Sequence, residues 1–244
     1  MAQREPLDPA VAEVRLAVRA SLTELAADST LVVAPSGGAD SLALASAAAF
    51  EGRKLGMRAI AVTVDHGLQA ASAATAAAAA ARAENLGLEA RVVRVDVSDG
   101  GRGPEAAARA ARYLALADAA TDAGAVAVLM GHTLDDQAET VLLGLARGSG
   151  AASLQGMAPV SELAPGVALV RPLLDVRRAT TRAACAAESL ERWEDPHNSD
   201  SRHARVRVRE TVLPVLEDEL GPVSQKPSHA RPRSCARTPR RSTR

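Results

Sequence analysis

Aromatic residues are almost missing from this 244-residue sequence, which has one Phe, one Tyr and one Trp. A hydrophobic core must therefore consist of Leu, Val and Ala, and any contact with RNA must depend on Arg because few rings can stack on bases. The two cysteines, Cys185 and Cys235, lie far apart, which excludes a zinc spacing and a disulfide framework. This cysteine usage is typical of a reducing cytoplasm, where we expect the protein.

Signals for membranes and export are also missing. The N-terminus has no charged-then-apolar pattern, and the alanine run at 76–81 is followed at once by Arg82 and Glu84. We interpret this run as a helix, because alanine is only weakly apolar, and we expect no membrane partner.

The formal net charge of zero hides an uneven distribution of charges. Seven of the 29 Lys and Arg residues follow Val223, where no acidic residue occurs, which leaves 22 basic residues before it against all 29 acidic ones. An acidic body argues against diffuse nucleic-acid binding and favours a local basic patch.

The most informative stretch is LVVAPSGGADS at 31–41. Its apolar start predicts a buried parallel strand, and a predicted helix to about Lys54 follows its glycines. Strand, glycine turn and helix form a phosphate site, because glycines let the backbone approach an anion and the first helical N–H groups lack partners within the helix. The candidate nucleotide-binding residues are Ser36, Gly37, Gly38, Ala39, Asp40 and Ser41.

Asp40 is the unusual member of this turn, because a carboxylate beside a phosphate requires a cation between them. We interpret Asp40 as a Mg²⁺ ligand. A Walker A loop is excluded, since no Lys follows the glycines. The order Ser-Gly-Gly-x-Asp-Ser resembles the pyrophosphate loop (PP-loop) of the ATP pyrophosphatases, which cleave ATP between its α and β phosphates and adenylate a substrate. The alternative is a glycine turn with a helix N-cap.

Strands and helices alternate along most of the sequence, which predicts an α/β fold with a doubly wound parallel sheet. The resemblance implies an adenine nucleotide alpha hydrolase-like arrangement. A loop is predicted from 148 to 166. In a sheet of this kind, ligands should bind beyond the carboxyl ends of the parallel strands. The predicted strands are 31–34, 59–64, 90–95, 125–130 and 167–174. The predicted helices are 8–27, the one ending near 54, 72–86, 104–124, 135–147 and 176–189.

Three parts of the chain are predicted. Residues 1–190 form the ATP-pyrophosphatase domain, and 191–223 form an Arg-rich segment with the start of a helical tRNA-binding region. Residues 224–244 have no hydrophobic period, so we expect a disordered basic tail, typical of a shifted reading frame or truncated gene product. The alternative is a basic RNA-binding tail.

A second group of reactive residues lies where the fourth predicted strand meets its helix. Asp136 and Glu139 are three residues apart and so share a helix face. Two carboxylates facing an ATP site can hold Mg²⁺, or one can act as a base. The alternative for Asp135 and Asp136 is a helix cap, and that for His132 is a hydrogen bond at the helix start.

Five elements, in order and spacing, resemble the tRNA(Ile)-lysidine synthase family over about residues 29–221. They are the turn at 36–41, VDHGL at 64–68, ARAARY at 108–113, GHTLDDQAETVLLGLARGSG at 131–150 with LQGM at 154–157, and DPHNSD at 195–200 with the Arg-rich run after it. The resemblance implies that ATP activates C2 of the wobble cytidine of tRNA(Ile) with a CAU anticodon, forming an adenylate and releasing pyrophosphate. Free L-lysine then displaces AMP to form lysidine.

The resemblance also implies roles for individual residues. The turn would hold the pyrophosphate, with Asp40 and Asp136 on Mg²⁺, and Arg112 would stabilise the intermediate. Asp136 would also be the base and Glu139 would lie near the lysine, while His132 and His66 would contact the nucleotide. Without the resemblance, Arg112 is an ordinary surface charge. Homodimers are common in this family.

Arg205, Arg207 and Arg209 alternate with valines, so an extended segment would place all three on one face, suited to tRNA phosphates. The alternative is a solvated edge strand. His203 departs from the family, which usually has Phe or Tyr there.

Two other functions are left open. One is another PP-loop ATP pyrophosphatase, such as a thiolase, although the paired cysteines of a thiolase are missing. The other is an inactive ATP-binding protein.

Overall fold

A computed structural model describes residues 6–67, 71–97, 103–148, 150, 154–191 and 202–221 of the chain. Six strands in these ranges form a single sheet. In chain order they are β1 Thr30–Val33, β2 Arg58–Asp65, β3 Glu89–Arg94, β4 Ala125–Leu129, β5 Val160–Ala164 and β6 Val167–Val170.

Helices cover both faces of this sheet. Among the described residues, none of them has the length and apolarity needed to cross a membrane. The α-helices are α1 Pro9–Leu22, α2 Ala39–Lys54, α3 Ser72–Asn85, α4 Pro104–Asp122, α5 Leu134–Ala146, α6 Arg178–Ala187, α7 Ala204–Arg207 and α8 Leu213–Leu220. A five-residue π-helix, Val208–Val212, joins α7 to α8.

The strand order of the sheet is β3-β2-β1-β4-β6-β5, and every pair except β5 with β6 is parallel. The predicted doubly wound α/β fold is therefore confirmed. The chain winds outward from β1 in one direction to β2 and β3, and in the other direction to β4 and β6. The crevice between the carboxyl ends of β1 and β4 is thus the switch point at which such sheets bind ligands.

The short central strands β1 and β4 are apolar except for Thr30, as expected for a sheet that is covered on both faces. Side chains alternate between the faces: Leu31 and Val33 pack in the layer of α1, α2 and α6, whereas Val32 packs in the layer of α4. All three are fully buried. Each such side chain contributes about 1.5–3 kcal/mol, so this sheet is a rigid base for the loops at its edge.

The loop predicted for 148–166 is wrong for residues 160–164, which form the antiparallel edge strand β5. Pro165 and Gly166 turn the chain back onto β6, and Gly166 has a φ of 79° that favours glycine. The predicted strand 167–174 is too long, since β6 ends at Val170. Pro172 explains the early end, because it has no N–H to continue a ladder.

Candidate active site

The glycine-rich turn follows β1 and is held by hydrogen bonds between its own residues. The backbone N–H of Ser36 donates to Ser41 Oγ at 3.0 Å, and Ser41 Oγ donates to the Gly38 carbonyl at 2.9 Å. Gly37 has a φ of 88°, a left-handed conformation that favours glycine, and Gly38 is the N-cap of α2. The turn therefore presents the start of a helix at the switch point, as a phosphate site requires.

Gly131, just after β4, lies against this turn. A Cβ atom at this position would be 2.9 Å from the Asp40 carbonyl oxygen and 3.0 Å from Ser41 Cα. Only a residue without a side chain allows the two backbones to approach so closely. The loop that carries His132 is thereby held beside the phosphate turn.

Asp136 and Glu139 share a face of α5, as predicted. Asp136 Oδ2 accepts hydrogen bonds from the Thr133 N–H at 2.8 Å and from Thr133 Oγ1 at 3.0 Å, as in a capping box. The alternative of a helix-capping role for Asp136 is therefore confirmed, because its carboxylate binds the N-cap residue Thr133. Burial alone would raise the pKa of Asp136, but the charge of Arg178 and the Thr133 N–H hold it below its ordinary value.

Arg178 is the residue that sequence reasoning missed. Its Nε donates to Asp40 Oδ2 at 3.3 Å, its Nη2 to Asp136 Oδ1 at 2.8 Å and its Nη1 to Glu139 Oε1 at 3.1 Å. The guanidinium thus brings together the phosphate turn and the acidic face of α5. Its side chain is only 11% exposed, so Arg178 is not an ordinary surface charge on the polar face of its helix.

The start of α6 is fixed by two further contacts with the same elements. The backbone N–H of Arg178 donates to Asp135 Oδ2 at 2.8 Å, so Asp135 caps α6 rather than its own helix. Thr181, one turn later, donates its hydroxyl to Asp40 Oδ1. Burial raises the pKa of Asp40, against the lowering effects of Thr181 and Arg178.

The Arg-rich segment is helical, so the predicted extended segment with all three arginines on one face is wrong. Arg205 and Arg209 are four residues apart on a helical face that contacts Glu139. Arg207 is exposed and donates to the Arg202 carbonyl at 2.8 Å. Val206 is buried against the body at 5% exposure, which docks the segment and turns Arg207 away from the other two.

His66, Arg112 and His132 lie near one another, since the charge of Arg112 acts on both histidines. Within the described residues, His66 Nδ1, Arg112 Nε and His132 Nδ1 are buried without a hydrogen-bond partner. Burial lowers the pKa of His132 to about 4, with a contribution from Arg112, and burial and Arg112 also lower the pKa of His66. Both imidazoles are therefore neutral at pH 7, and these nitrogens are available to a ligand.

A loop beyond β4 is pinned to α5 by a side-chain amide. Gln137 Nε2 donates to the Met157 carbonyl at 2.8 Å, and the Met157 N–H donates to Gln137 Oε1 at 2.6 Å. These two hydrogen bonds join the motif segment at 131–150, which contains Gln137, to the LQGM segment at 154–157, which contains Met157. The sequence-predicted elements at 68, 195–200 and 224–244 lie outside the described residues.

The fold and site define a class of nucleotide-binding enzyme domains. Residues 12–216 match the family described as the PP-loop domain, and the chain belongs to this family. A distant structure shows the same fold: U34-tRNA thiolase NcsA from Methanococcus maripaludis, at 19% identity, has a TM-score of 0.72 over 87% of this chain and 75% of that chain.

Curated relatives confirm the resemblance to the tRNA(Ile)-lysidine synthases. The chain is 56% identical over 217 residues to the tRNA(Ile)-lysidine synthase of Salinispora tropica, covering 88% of this chain and 65% of that protein. It is 58% identical over 199 residues to the tRNA(Ile)-lysidine synthase of Leifsonia xyli subsp. xyli, covering 81% of this chain and 58% of that protein. The chain therefore spans less than two thirds of the length of these relatives.

Proposed function

We propose that the chain ligates free L-lysine to C2 of the wobble cytidine of tRNA(Ile) with a CAU anticodon, using ATP. The names of the relatives support the substrate, and family membership supports the use of ATP. The observation that carries the proposal is the position of Asp136 and Glu139, which converge through one guanidinium on Asp40 of the phosphate turn. This arrangement would place an acidic site for the lysine amine beside the site for phosphates, which supports the proposal.

In the first proposed step, O2 of the cytidine attacks the α-phosphorus of ATP and pyrophosphate leaves. The turn at 36–41 would hold the leaving pyrophosphate through its N–H groups and hydroxyls. Arg112, whose Nε has no hydrogen-bond partner among the described residues, would stabilise charge on the α-phosphate, and His66 and His132 would contact the nucleotide.

In the second proposed step, the ε-amine of lysine attacks C2 and AMP leaves. The amine is protonated at neutral pH, so a base must first remove a proton. Asp136 is ionised at this pH because its pKa is lowered, so its carboxylate carries no proton and can accept one from the amine. Glu139, on the same face of α5, would orient the lysine.

The site also suits a divalent cation. Asp40 and Asp136 offer hard oxygen ligands that already converge on one cation, the Arg178 guanidinium. Mg²⁺ commonly binds one or two carboxylates together with substrate phosphates. When bound by Asp40 and Asp136, Mg²⁺ would neutralise phosphate charge during bond cleavage.

The basic segment would contact the tRNA. Arg207 is exposed and suits a tRNA phosphate, whereas Arg205 and Arg209 would have to leave Glu139 to reach one.

We further infer a cytoplasmic homodimer. Light scattering after gel filtration would test the dimer, which should have twice the chain mass of 25.1 kDa.

The experiment that tests the proposal incubates the purified chain with ATP, Mg²⁺, labelled lysine and unfractionated tRNA. Label that enters acid-precipitable RNA only with ATP would support it. Asp40→Asn should abolish the label, and the matched control Asp118→Asn, at an exposed position of α4, should retain it. No label from a chain that still binds ATP would contradict the proposal, and pyrophosphate release with another acceptor would indicate a different PP-loop enzyme.

A further inference from the structure

One guanidinium lies between two carboxylates at the proposed cation position. Each of the three nitrogens of Arg178 donates to a different carboxylate, namely those of Asp40, Asp136 and Glu139. Within the described ranges, Arg178 is the one basic side chain at ion-pair distance from Asp40 and from Asp136. Glu139, by contrast, is also paired with Arg205 and Arg209.

The carboxylates depend on this cation because they are largely removed from water. The side chains of Asp40 and Asp136 are 22% and 13% exposed, and they would repel each other if both were ionised without a cation between them. A second cation a few ångström from the guanidinium would be repelled strongly in such a site. The space between Asp40 and Asp136 therefore accepts one cation at a time.

We propose that Arg178 is the resident counter-cation of Asp40 and Asp136 and that a divalent cation must displace it. The inference rests on the Mg²⁺ ligands of the proposed function, but it does not depend on which RNA or amine is the substrate. Arg178 is thereby a positioning residue, which keeps the two carboxylates together until the metal-bound nucleotide arrives.

The backbone around Arg178 suits such an exchange. Its N–H is held by Asp135 at 2.8 Å and Thr181 donates to Asp40, so neither contact depends on the guanidinium. The arginine side chain can rotate away while α6 and Asp40 stay in place. Glu139 keeps its other arginine partners during this movement.

The test measures binding of Mn²⁺ alone, without nucleotide, to the full chain and to Arg178→Met. Electron paramagnetic resonance of free Mn²⁺ gives the Kd. The variant should bind Mn²⁺ at least about tenfold more tightly than the wild type. At a Mn²⁺ concentration ten times its Kd, the melting temperature of the variant should rise by roughly 3–6 °C.

Two controls identify the site. Arg177→Met, which removes the neighbouring arginine and its partly exposed ion pair with Glu217, should bind Mn²⁺ like the wild type. Adding Asp136→Asn to Arg178→Met should abolish the tighter binding. Should Arg178→Met fail to fold, Arg178→Lys keeps a charge that reaches fewer carboxylates and should show a smaller gain in affinity.

Equal Mn²⁺ affinities for the wild type and the foldable Arg178 variant would overturn the inference. So would tighter binding that survives Asp136→Asn. Neither result depends on lysine transfer to tRNA, so failure of the inference and failure of the proposed function can be told apart.

Discussion

The guanidinium of Arg209 forms a bidentate ion pair with the carboxylate of Glu139, with Nε to Oε1 at 2.7 Å and Nη2 to Oε2 at 3.1 Å. Glu139 is fully buried, and Arg178 and Arg205 also lie within ion-pair distance of it. One carboxylate thus joins α5, α6 and the C-terminal helical segment.

Glu139→Gln should therefore destabilise the fold. The substitution keeps the shape but leaves partly buried guanidinium charges without a counter-charge, which costs about 3 kcal/mol. Urea unfolding followed by circular dichroism measures the change. Glu162→Gln, at an exposed position of β5, is the control and should change the free energy of unfolding by less than about 0.5 kcal/mol. Equal unfolding midpoints for the two variants would contradict this account.

Gly131→Ala should disturb the phosphate turn. The added Cβ would lie 2.9 Å from the Asp40 carbonyl oxygen, and backbone cannot move aside as a flexible side chain can. We expect a loss of about 1–3 kcal/mol in stability and a roughly tenfold weaker binding of ATP. Calorimetry and ATP titration measure the two effects.

The control for that substitution is Gly150→Ala, whose added Cβ would meet no atom of the described residues within 4 Å, its chain neighbours aside. It should leave both the melting temperature and ATP binding unchanged. ATP binding by Gly131→Ala at wild-type affinity would show that the close approach does not shape the turn.

The pH dependence of stability should report His132. Its pKa of about 4 in the folded chain is below the ordinary value of about 6.5, because burial and Arg112 disfavour the charged imidazole. The unfolded chain therefore binds more protons between these pH values, and stability falls as the pH drops from about 6.5 to 4. The contribution amounts to about 2–3 kcal/mol.

His132→Asn should remove this part of the pH dependence. Chemical unfolding at pH 6.5 and at pH 4.5 gives the difference in unfolding free energy for each protein. His203→Asn, at an exposed position, should retain the wild-type difference. An unchanged difference in His132→Asn would assign the pH dependence to other groups.

Gln137→Ala should release the loop at 154–158. The substitution removes both hydrogen bonds to the Met157 backbone, each contributing about 0.5–1.5 kcal/mol. Hydrogen exchange of the Met157 amide should become faster by roughly tenfold or more. An unchanged rate would show that other contacts hold the loop.

The sequence predicted the central sheet well because its strands are short, apolar and bounded by glycine turns. The apolar runs at 31–33 and 125–129 must be buried in a folded chain, which made these strands easy to predict. The predicted position of the site followed from the parallel topology, because such sheets bind ligands beyond the carboxyl ends of their strands. The edge strand at 160–164 was missed because it is partly exposed and has no continuous apolar run. Its turn residues, Pro165 and Gly166, were the available signal.

The role of Arg178 could not be predicted from local pattern, because its partners lie 138, 42 and 39 residues away along the chain. One signal was present: Arg177 and Arg178 stand at the start of a helix, where its dipole disfavours cations. Such a placement indicates that carboxylates from elsewhere face the helix. The alternation at 205–209 was misleading, because burial of Val206 favoured a helix over an extended segment.

The π-helix at Val208–Val212 makes the length of the C-terminal segment as important as its composition. Its last hydrogen bond runs from the Leu213 N–H to the Val208 carbonyl, five residues back, and Pro214 follows directly. Losing one residue within this turn would restore an ordinary α-helical turn and leave the faces of α7 and α8 in nearly their present relation, because a π turn holds about one residue more than an α turn. Losing one residue between Arg205 and the π turn would instead rotate Arg205 by about 100° away from the Glu139 carboxylate that Arg209 binds, and would be more damaging than most substitutions.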